Sequence, residues 1–230
     1  MLKDPPLLTI RRDFPRPSLA LVDKLKGAQT GHMTDAMYGR GALDAEIKPV
    51  DPKVAVFVGI ALPCESFADD NLAIVAALAF AKPGDVLIAA SDGFSRTAVV
   101  GDNVAMMAKN AGVRAIVIDG MARDLDGIVE AGLPVFARGI TPNSCVKNGP
   151  GKVGLPVVAG GVRIEPGDVV IGDRDGVVIV PQGQLDYVLA HLEEIRRLEA
   201  DIQGKIKNDK LVCPDGIRAL LKTDKVVYVE

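Results

Sequence analysis

The chain has 230 residues, a formal net charge of −3, 48% hydrophobic residues and 4% aromatic residues. This length favours one domain with an aliphatic core, or two small domains, and the weak negative charge gives no reason to expect nucleic-acid binding. The longest apolar run, residues 72–81, is shorter than the about 20 residues that cross a bilayer, so no membrane association is expected. Three widely spaced cysteines and the absence of a signal-peptide pattern indicate a reducing cytoplasm.

The first half of the chain alternates between apolar stretches typical of helices and of strands. Asp69-Asp70 precedes one apolar helix and suits its N-terminus, while Pro52 and Pro63 bound the first clear strand. From there the order is strand, helix, strand, helix, strand, as in parallel βαβ units. The predicted helices are residues 19–26, 30–38, 72–81, 104–111 and 125–131, and the predicted strands are residues 53–62, 86–90, 115–118 and 134–137.

The second half is rich in Pro, Gly and Val and predicts a further β layer. A long helix follows over residues 184–207, and its apolar residues repeat with helical periodicity on one face. The tail predicts a short helix at residues 217–221 and a strand-like end at 226–229. The fold class is therefore α/β, with parallel βαβ units and a second β layer. The short strands of this half are residues 157–158, 162–164, 169–171 and 177–180.

The most informative pattern is Asp102, followed after twenty intervening residues by Arg123-Asp124. Both lie at junctions between predicted elements, which strand-helix-strand geometry can bring to one sheet edge. Asp124 is a candidate direct ligand of Mg²⁺ or Mn²⁺, and Asp102 a candidate to hold metal-bound water. Arg123 suits a bidentate grip on an anionic oxygen. The alternatives are helix N-caps for the two aspartates and a structural ion pair for Arg123.

Three residues beside Asp102 are candidates for substrate binding. Asn103 and Val104 present backbone N–H groups in the first turn of a predicted helix, where a carboxylate or phosphate is favoured. Gly101 has no side chain, so a ligand can approach its backbone closely. By itself this signal is weak, because every helix has such an end.

Glu199 and Asp35 are candidates at a greater distance along the chain. A helical wheel places Glu199 between Leu192 and Ile195 in the apolar stripe of the long helix. Either this part of the helix faces water, or it packs on a neighbouring subunit and delivers Glu199 into that subunit's site. Asp35 follows His32-Met33-Thr34 and is either a solvated helical carboxylate or a supporting group at the site.

Several sequence segments together resemble the 4-hydroxy-4-methyl-2-oxoglutarate aldolases and their RraA-like relatives. The aspartate, the twenty-residue interval and Arg-Asp form the specific part of this resemblance, which spans about residues 30–180 and extends into the C-terminal helix. The matching segments are Thr34-Asp35-Ala36-Met37, Gly101-Asp102, Val117-Ile118-Asp119-Gly120, Arg123-Asp124, Gly160-Gly161-Val162, Pro166-Gly167-Asp168 and Asp175-Gly176-Val177. The tail from Leu211, with Cys213-Pro214, matches the aldolases only loosely.

The resemblance implies a three-layer β/β/α swivelling-type domain over residues 1–180. Residues 181–230 are a helical extension that packs on the same domain or on a neighbouring subunit. The resemblance also implies homotrimers or homohexamers with sites between subunits. In that pattern Asp124 ligates Mg²⁺ or Mn²⁺ directly, and Asp102 holds a metal-bound water. Glu199 and Asp35 act on metal waters from the adjacent chain.

In the same pattern Arg123 grips a substrate oxygen, and the Asn103 and Val104 amides receive the pyruvyl carboxylate next to Gly101. The predicted function is a metal-dependent lyase that releases pyruvate from a 4-hydroxy-2-oxo acid, with oxaloacetate decarboxylation as a side activity. One alternative is a 2-oxo acid decarboxylase without an aldol substrate. Another is a non-catalytic regulator that binds an endoribonuclease.

Overall fold

A computed structural model describes residues 4–229 of the chain. It contains α-helices and β-strands in the alternating order that the sequence predicts for the first half. The helices are α1 (Leu19–Val22), α2 (Thr30–Ala36), α3 (Leu72–Ala77), α4 (Asp102–Asn110), α5 (Leu125–Ala131), α6 (Leu185–Asn208) and α7 (Asp215–Leu220). The strands are β1 (Leu8–Ile10), β2 (Lys48–Pro49), β3 (Phe57–Ser66), β4 (Asp85–Ala90), β5 (Ala98–Val100), β6 (Ala115–Asp119), β7 (Met121–Ala122), β8 (Val135–Ala137), β9 (Gly139–Ile140), β10 (Gly151–Val153), β11 (Val157–Ala159), β12 (Val162–Ile164), β13 (Val169–Gly172) and β14 (Val177–Val180).

The main sheet is built around four parallel neighbours in the order β3, β4, β6 and β8. Helix α3 connects β3 to β4, and α4 and α5 lie in the next two connections. Strands β1 and β10 continue the sheet beyond β3, and the short β2 closes the opposite edge beside β8. The predicted βαβ order is therefore confirmed.

Alternating residues of the central strands enter two different cores. In β6, Ile116 and Ile118 pack with buried residues of α3, α4 and α5, whereas Val117 packs on the opposite face of the sheet. That opposite face is covered by residues of β11 to β14, including Val157 and Ile179. Strands buried on both faces explain why this part of the sequence is continuously apolar rather than alternating.

The second β layer is present, and it is joined to the first through one long strand. Strand β13 pairs antiparallel with both β14 and the beginning of β3, while β11 and β12 form a separate two-stranded sheet. The ten-residue β3 pairs with β13 along its first part and with β10 along its last part. Strand β3 therefore joins the two layers into one continuous sheet. The sequence analysis predicted the strands separately and did not indicate this connection.

Several predicted boundaries are wrong, and one predicted strand is not formed in the described part of the chain. Pro63 does not end a strand but lies inside β3, where its carbonyl accepts a hydrogen bond from Gly154 N at 2.8 Å. Helix α3 was predicted to end at residue 81, but it ends at Ala77, and residues 78–80 form a turn. Residues 226–229 are not a strand, since no neighbouring strand in the described part of the chain offers them hydrogen bonds.

The long helix α6 packs on the domain only through its first half. Leu185, Val188 and Leu192 are buried in a cluster shared with Met33 of α2, as the predicted stripe requires. Farther along the same face, Ile195 is only partly buried against this cluster, and Glu199 and Ile202 are half-buried. Within residues 4–229, no helix has both the length and the apolar character needed to cross a bilayer.

Candidate active site

Two strand-to-helix junctions meet at one edge of a small three-stranded sheet. Strand β5 leads into α4, and β7 leads through Arg123 and Asp124 into α5. Because β5 and β7 are parallel neighbours, their carboxyl ends lie together, and Arg123 N donates to Val100 O at 3.0 Å. The twenty residues that separate Asp102 from Arg123 therefore close into one site, as the sequence predicts.

Gly101 lies where these two junctions make their closest contact. A Cβ atom at this position would be 2.5 Å from Asp124 Oδ2 and 3.3 Å from Arg123 Cγ. The backbone of Gly101 is extended, with φ −127°, so the glycine is required for space rather than for an unusual conformation. Its missing side chain leaves the Asp124 carboxylate room beside the start of α4.

Asp102 is the first residue of α4, and the N-cap position belongs to Gly101. The predicted N-cap alternative for Asp102 is therefore wrong, because the helix begins one residue earlier than that alternative requires. Asp102 Oδ1 accepts a hydrogen bond from Asn103 N at 2.6 Å. Its side chain faces α5, where a Cβ atom on Gly127 would lie 2.6 Å from Asp102 Cβ. Asp102 Oδ2 lies on the side of Gly127 and has no hydrogen-bond partner in the described part of the chain.

The backbone donors at this helix start are only partly available. The N–H of Asn103 is already used by Asp102 Oδ1, so this predicted substrate donor is not free. The first helical hydrogen bond runs from Ala105 N to Gly101 O at 3.1 Å. Val104 N–H precedes that bond and has no carbonyl partner in the helix. Val104 therefore provides the free amide of the predicted pair.

Asp124 has a left-handed backbone, with φ 57° and ψ 51°, at the N-cap position of α5. A capping side chain normally belongs to an extended backbone, and the Asp124 carboxylate forms no capping hydrogen bond. It lies instead 3.2 Å from Arg123 Nε, with both side chains about 40% exposed. An ion pair this exposed contributes only about 0–1 kcal/mol to folding, so both groups remain available to a ligand.

These residues line a pocket of about 180 Å³. Gly101, Asp102 and Val104 form one side, and Arg123 and Asp124 form another. The remaining lining residues come from α3 and the residue before it, from α4, from β5 and from the irregular segment before β10. They are Asn71, Val75, Ala98, Val99, Asn103, Met107, Ser144, Cys145 and Lys147.

The contribution of residues 144–147 was missed by the sequence analysis. This segment has no helical or strand periodicity, and it reaches the pocket through an isolated β-bridge between Ser144 and Ala98. Burial raises the pKa of the Cys145 thiol above its usual value. A thiol that stays protonated at neutral pH is a poor nucleophile.

The donor atoms of the pocket fit a hard divalent cation that keeps several waters. Asp102 and Asp124 supply carboxylate oxygens that are not occupied by helix capping. Within residues 4–229 there is no cluster of three or more Asp, Glu, His or Cys side chains arranged around one point. Two carboxylates suit Mg²⁺ or Mn²⁺, which bind through one or two carboxylates and water.

Asp35 and Glu199 lie away from this pocket in their own chain. Asp35 is exposed on α2, and Glu199 is half-buried on α6, beyond the part of α6 that packs on α2. Neither lines the pocket around Arg123. Their contribution to a neighbouring subunit's site stays a prediction.

The fold and the site define an α/β protein with a pocket of carboxylates and a guanidinium at strand ends. The RraA-like family model, described as Aldolase/RraA, matches residues 21–179. The chain is 35% identical to a Halalkalibacterium halodurans protein provisionally named 4-hydroxy-4-methyl-2-oxoglutarate aldolase, over 80% of this chain and 86% of the relative. It is 32% identical to the 4-hydroxy-4-methyl-2-oxoglutarate aldolase of Thermus thermophilus, over 50% of this chain and 70% of the relative.

A solved structure of an RraA protein is also similar to this chain. The crystal structure of Streptomyces coelicolor RraAS2, an unusual member of the RNase ES inhibitor RraA protein family, superposes with a TM-score of 0.74. The two chains are 28% identical, and the superposition covers 83% of this chain and all of the other. This protein belongs to the RraA-like family.

Proposed function

We propose that this protein is a divalent-metal-dependent lyase that cleaves a 4-hydroxy-2-oxo dicarboxylate or tricarboxylate to pyruvate and a second 2-oxo acid. 4-Hydroxy-4-methyl-2-oxoglutarate is the representative substrate. The observation that carries this proposal is the meeting of Asp102, Arg123 and Asp124 around Gly101 in one pocket. The names of two similar proteins support the reaction class.

In this proposal Asp124 would hold Mg²⁺ or Mn²⁺ directly, and Asp102 would hold a water bound to it. A bound divalent cation would supply positive charge close to the oxygen on which negative charge develops. Glu199, and with it Asp35, would act on the ion's waters from an adjacent subunit. That role requires a homo-oligomer, a trimer or a hexamer, because neither residue lines the pocket of its own chain.

The protein's own groups orient the pyruvyl end of the substrate. The Val104 N–H, at the positive end of α4, donates to the substrate carboxylate. Arg123 carries two or more parallel donors and holds the 2-oxo oxygen, which bears the charge as the reaction proceeds. Gly101 leaves space for this end of the substrate between the two junctions.

Bond cleavage requires one proton transfer in each direction. As the C3–C4 bond breaks, its electron pair passes to the pyruvyl half and forms an enolate whose oxygen faces Arg123. The C4 hydroxyl loses its proton toward Asp102 Oδ2 or Glu199, and C4–O becomes the carbonyl of the second product. A proton delivered to C3 completes pyruvate. Loss of CO₂ from oxaloacetate forms the same enolate, which is why decarboxylation is the expected side activity.

Two other functions use the same fold. A 2-oxo acid decarboxylase would share this pocket and lack a physiological aldol substrate. A regulator of an endoribonuclease is suggested by the RraA names of structural neighbours. The presence of both Asp102 and Asp124 in the pocket favours the enzyme. We place its activity in a reducing cytoplasm, because its three cysteines are free thiols.

The test is pyruvate release from 4-hydroxy-4-methyl-2-oxoglutarate and from oxaloacetate, with Mg²⁺ or Mn²⁺ and then with a chelator. Metal-dependent turnover that is lost in Arg123→Ala and Asp124→Ala supports the lyase. Turnover of oxaloacetate alone supports the decarboxylase. If neither reaction occurs and the protein binds an endoribonuclease tightly, the lyase hypothesis is wrong and the regulator hypothesis is supported.

A further inference from the structure

Asn71, which lines the pocket, is a buried side chain with one unused hydrogen-bonding group. Only 6% of Asn71 is exposed, and its Nδ2 donates to Val99 O at 2.9 Å. A carbonyl acceptor at Val99 fixes which end of the amide is the nitrogen. Asn71 Oδ1 therefore faces the other way, and it has no hydrogen-bond partner in the described structure. Buried acceptors in native proteins have partners as a rule, so a donor is expected to reach this oxygen when the pocket is occupied.

Lys147 supplies a second unused group to the same pocket. The charged side chains that line it are Asp102, Arg123, Asp124 and Lys147. Arg123 is paired with Asp124, whereas Lys147 forms no salt bridge anywhere in residues 4–229. Lys147 is exposed and has no salt-bridge partner among the described residues, so its charge is available to an anionic ligand.

The backbone ties Asn71 to the segment that carries Lys147. Asn71 N donates to Val146 O at 3.0 Å, and Val146 N donates to Asp69 O at 2.9 Å. On the far side of Lys147, Asn148 N and Gly149 N both donate to Asp70 Oδ2. These bonds fix Lys147 on both sides and hold its backbone beside Asn71. Lys147 itself is exposed and lines the pocket, and its flexible side chain carries three donors.

We propose that Asn71 and Lys147 form a specificity subsite for the distal carboxylate of a 2-oxo dicarboxylate, an inference that rests on the proposed lyase function. Lys147 Nζ donates to that carboxylate and, with a second N–H, to Asn71 Oδ1. Asn71 is a positioning residue, because it acts on the substrate through Lys147. Arg123 and Val104 hold the pyruvyl end. The two cations of the pocket, Arg123 and Lys147, therefore bind opposite ends of one substrate.

The first test compares two substrates that differ only at the distal group. 4-Hydroxy-2-oxoglutarate carries a carboxylate where 4-hydroxy-2-oxopentanoate carries a methyl group. The measured quantity is the ratio of their kcat/KM values, which a general structural defect leaves constant. Lys147→Met should lower this ratio about tenfold, as expected for one charged hydrogen bond, and Lys147→Arg should retain most of it. An unchanged ratio in Lys147→Met overturns the subsite.

The second test measures whether Asn71 acts through Lys147. Asn71→Leu should lower the same ratio about threefold in the presence of Lys147 and have no further effect in the Lys147→Met background. Because Asn71 is buried, the melting temperature of each variant is measured alongside. If Asn71→Leu lowered the ratio by the same factor in wild type and in Lys147→Met, the positioning role would be contradicted.

A binding measurement separates this inference from the proposed reaction. Calorimetric titration compares malate, which has a second carboxylate, with lactate, which has a methyl group in place of its distal CH₂COO⁻ group. Wild type should bind malate more tightly, and Lys147→Met should lose about tenfold of that preference. If neither oxo acid is cleaved but the malate preference depends on Lys147, the lyase fails and the subsite stands. If wild type shows no preference for malate, the subsite hypothesis is wrong, whether or not the protein cleaves either oxo acid.

Discussion

Gly101 lies so close to Asp124 that a methyl group on its Cα would be 2.5 Å from the carboxylate oxygen Oδ2. The close approach joins the start of α4 to the residue before α5. It also makes the position of the proposed metal ligand depend on a residue that has no functional group of its own.

Gly101→Ala should therefore lower kcat/KM about 100-fold, because a displacement of about 1 Å in a reacting group has an effect of that size. The fold should be retained, since the backbone of Gly101 is extended and accepts an alanine. Steady-state kinetics and a melting curve measure the two effects. Gly183→Ala is the matched control, since a Cβ atom there meets nothing within 4 Å. Equal activity in the two variants would contradict this account.

Arg123→Lys should retain the positive charge and lose about 100-fold in kcat, with a smaller change in KM. A lysine ammonium is a point charge and cannot reproduce the two parallel donors of a guanidinium. Arg123→Ala should be less active still. Activity in Arg123→Lys close to wild type would show that charge alone is sufficient, and the proposed grip on the developing oxyanion would be wrong.

Asp124→Asn should weaken Mn²⁺ binding by at least about tenfold, which calorimetry or electron paramagnetic resonance can measure. Asparagine tolerates the left-handed backbone of this position, so the variant should fold normally. Asp126→Asn is the control, because Asp126 lies in the first turn of α5 and does not line the pocket. If both variants lost similar Mn²⁺ affinity, the loss would come from the changed net charge and not from the removal of a metal ligand.

Alkylation of Cys145 should be slow at neutral pH and should still be accelerating above pH 9, the ordinary pKa of the thiol. Burial raises the pKa of Cys145, so its reactive thiolate appears only at higher pH. Peptide-resolved mass spectrometry after timed iodoacetamide treatment gives the rate. Oxalate with Mn²⁺ should protect Cys145 because it lines the pocket. A rate that levels off below pH 8 would contradict the raised pKa.

Hybrid oligomers test the prediction for Glu199. Arg123→Ala and Glu199→Gln proteins should each be inactive, and mixing them after mild dissociation should restore activity. If Glu199 acts in a neighbour's site, about a quarter of the sites in an equal mixture combine an intact Arg123 with an intact Glu199. If each site were complete within one chain, mixing would restore nothing.

The sequence by itself determined the order of the helices and of the central strands, and it identified the three charged residues that the pocket brings together. Apolar periodicity identified β4, β6 and α4. The strands whose carboxyl ends join Asp102 to Arg123 and Asp124 are β5 and β7, and these were not predicted. Helical periodicity also placed Glu199 in the stripe of α6, where it is half-buried in the single chain.

Only the tertiary structure decided how the side chains of the site are used. Local sequence cannot distinguish a capping aspartate from a free one, and here α4 begins at Asp102 while Asp124 adopts a left-handed backbone. Asn71 and Lys147 lie in segments without periodicity, and these segments are joined by hydrogen bonds between residues more than seventy positions apart. Such contacts carry no local signal, because they depend on how the whole chain closes.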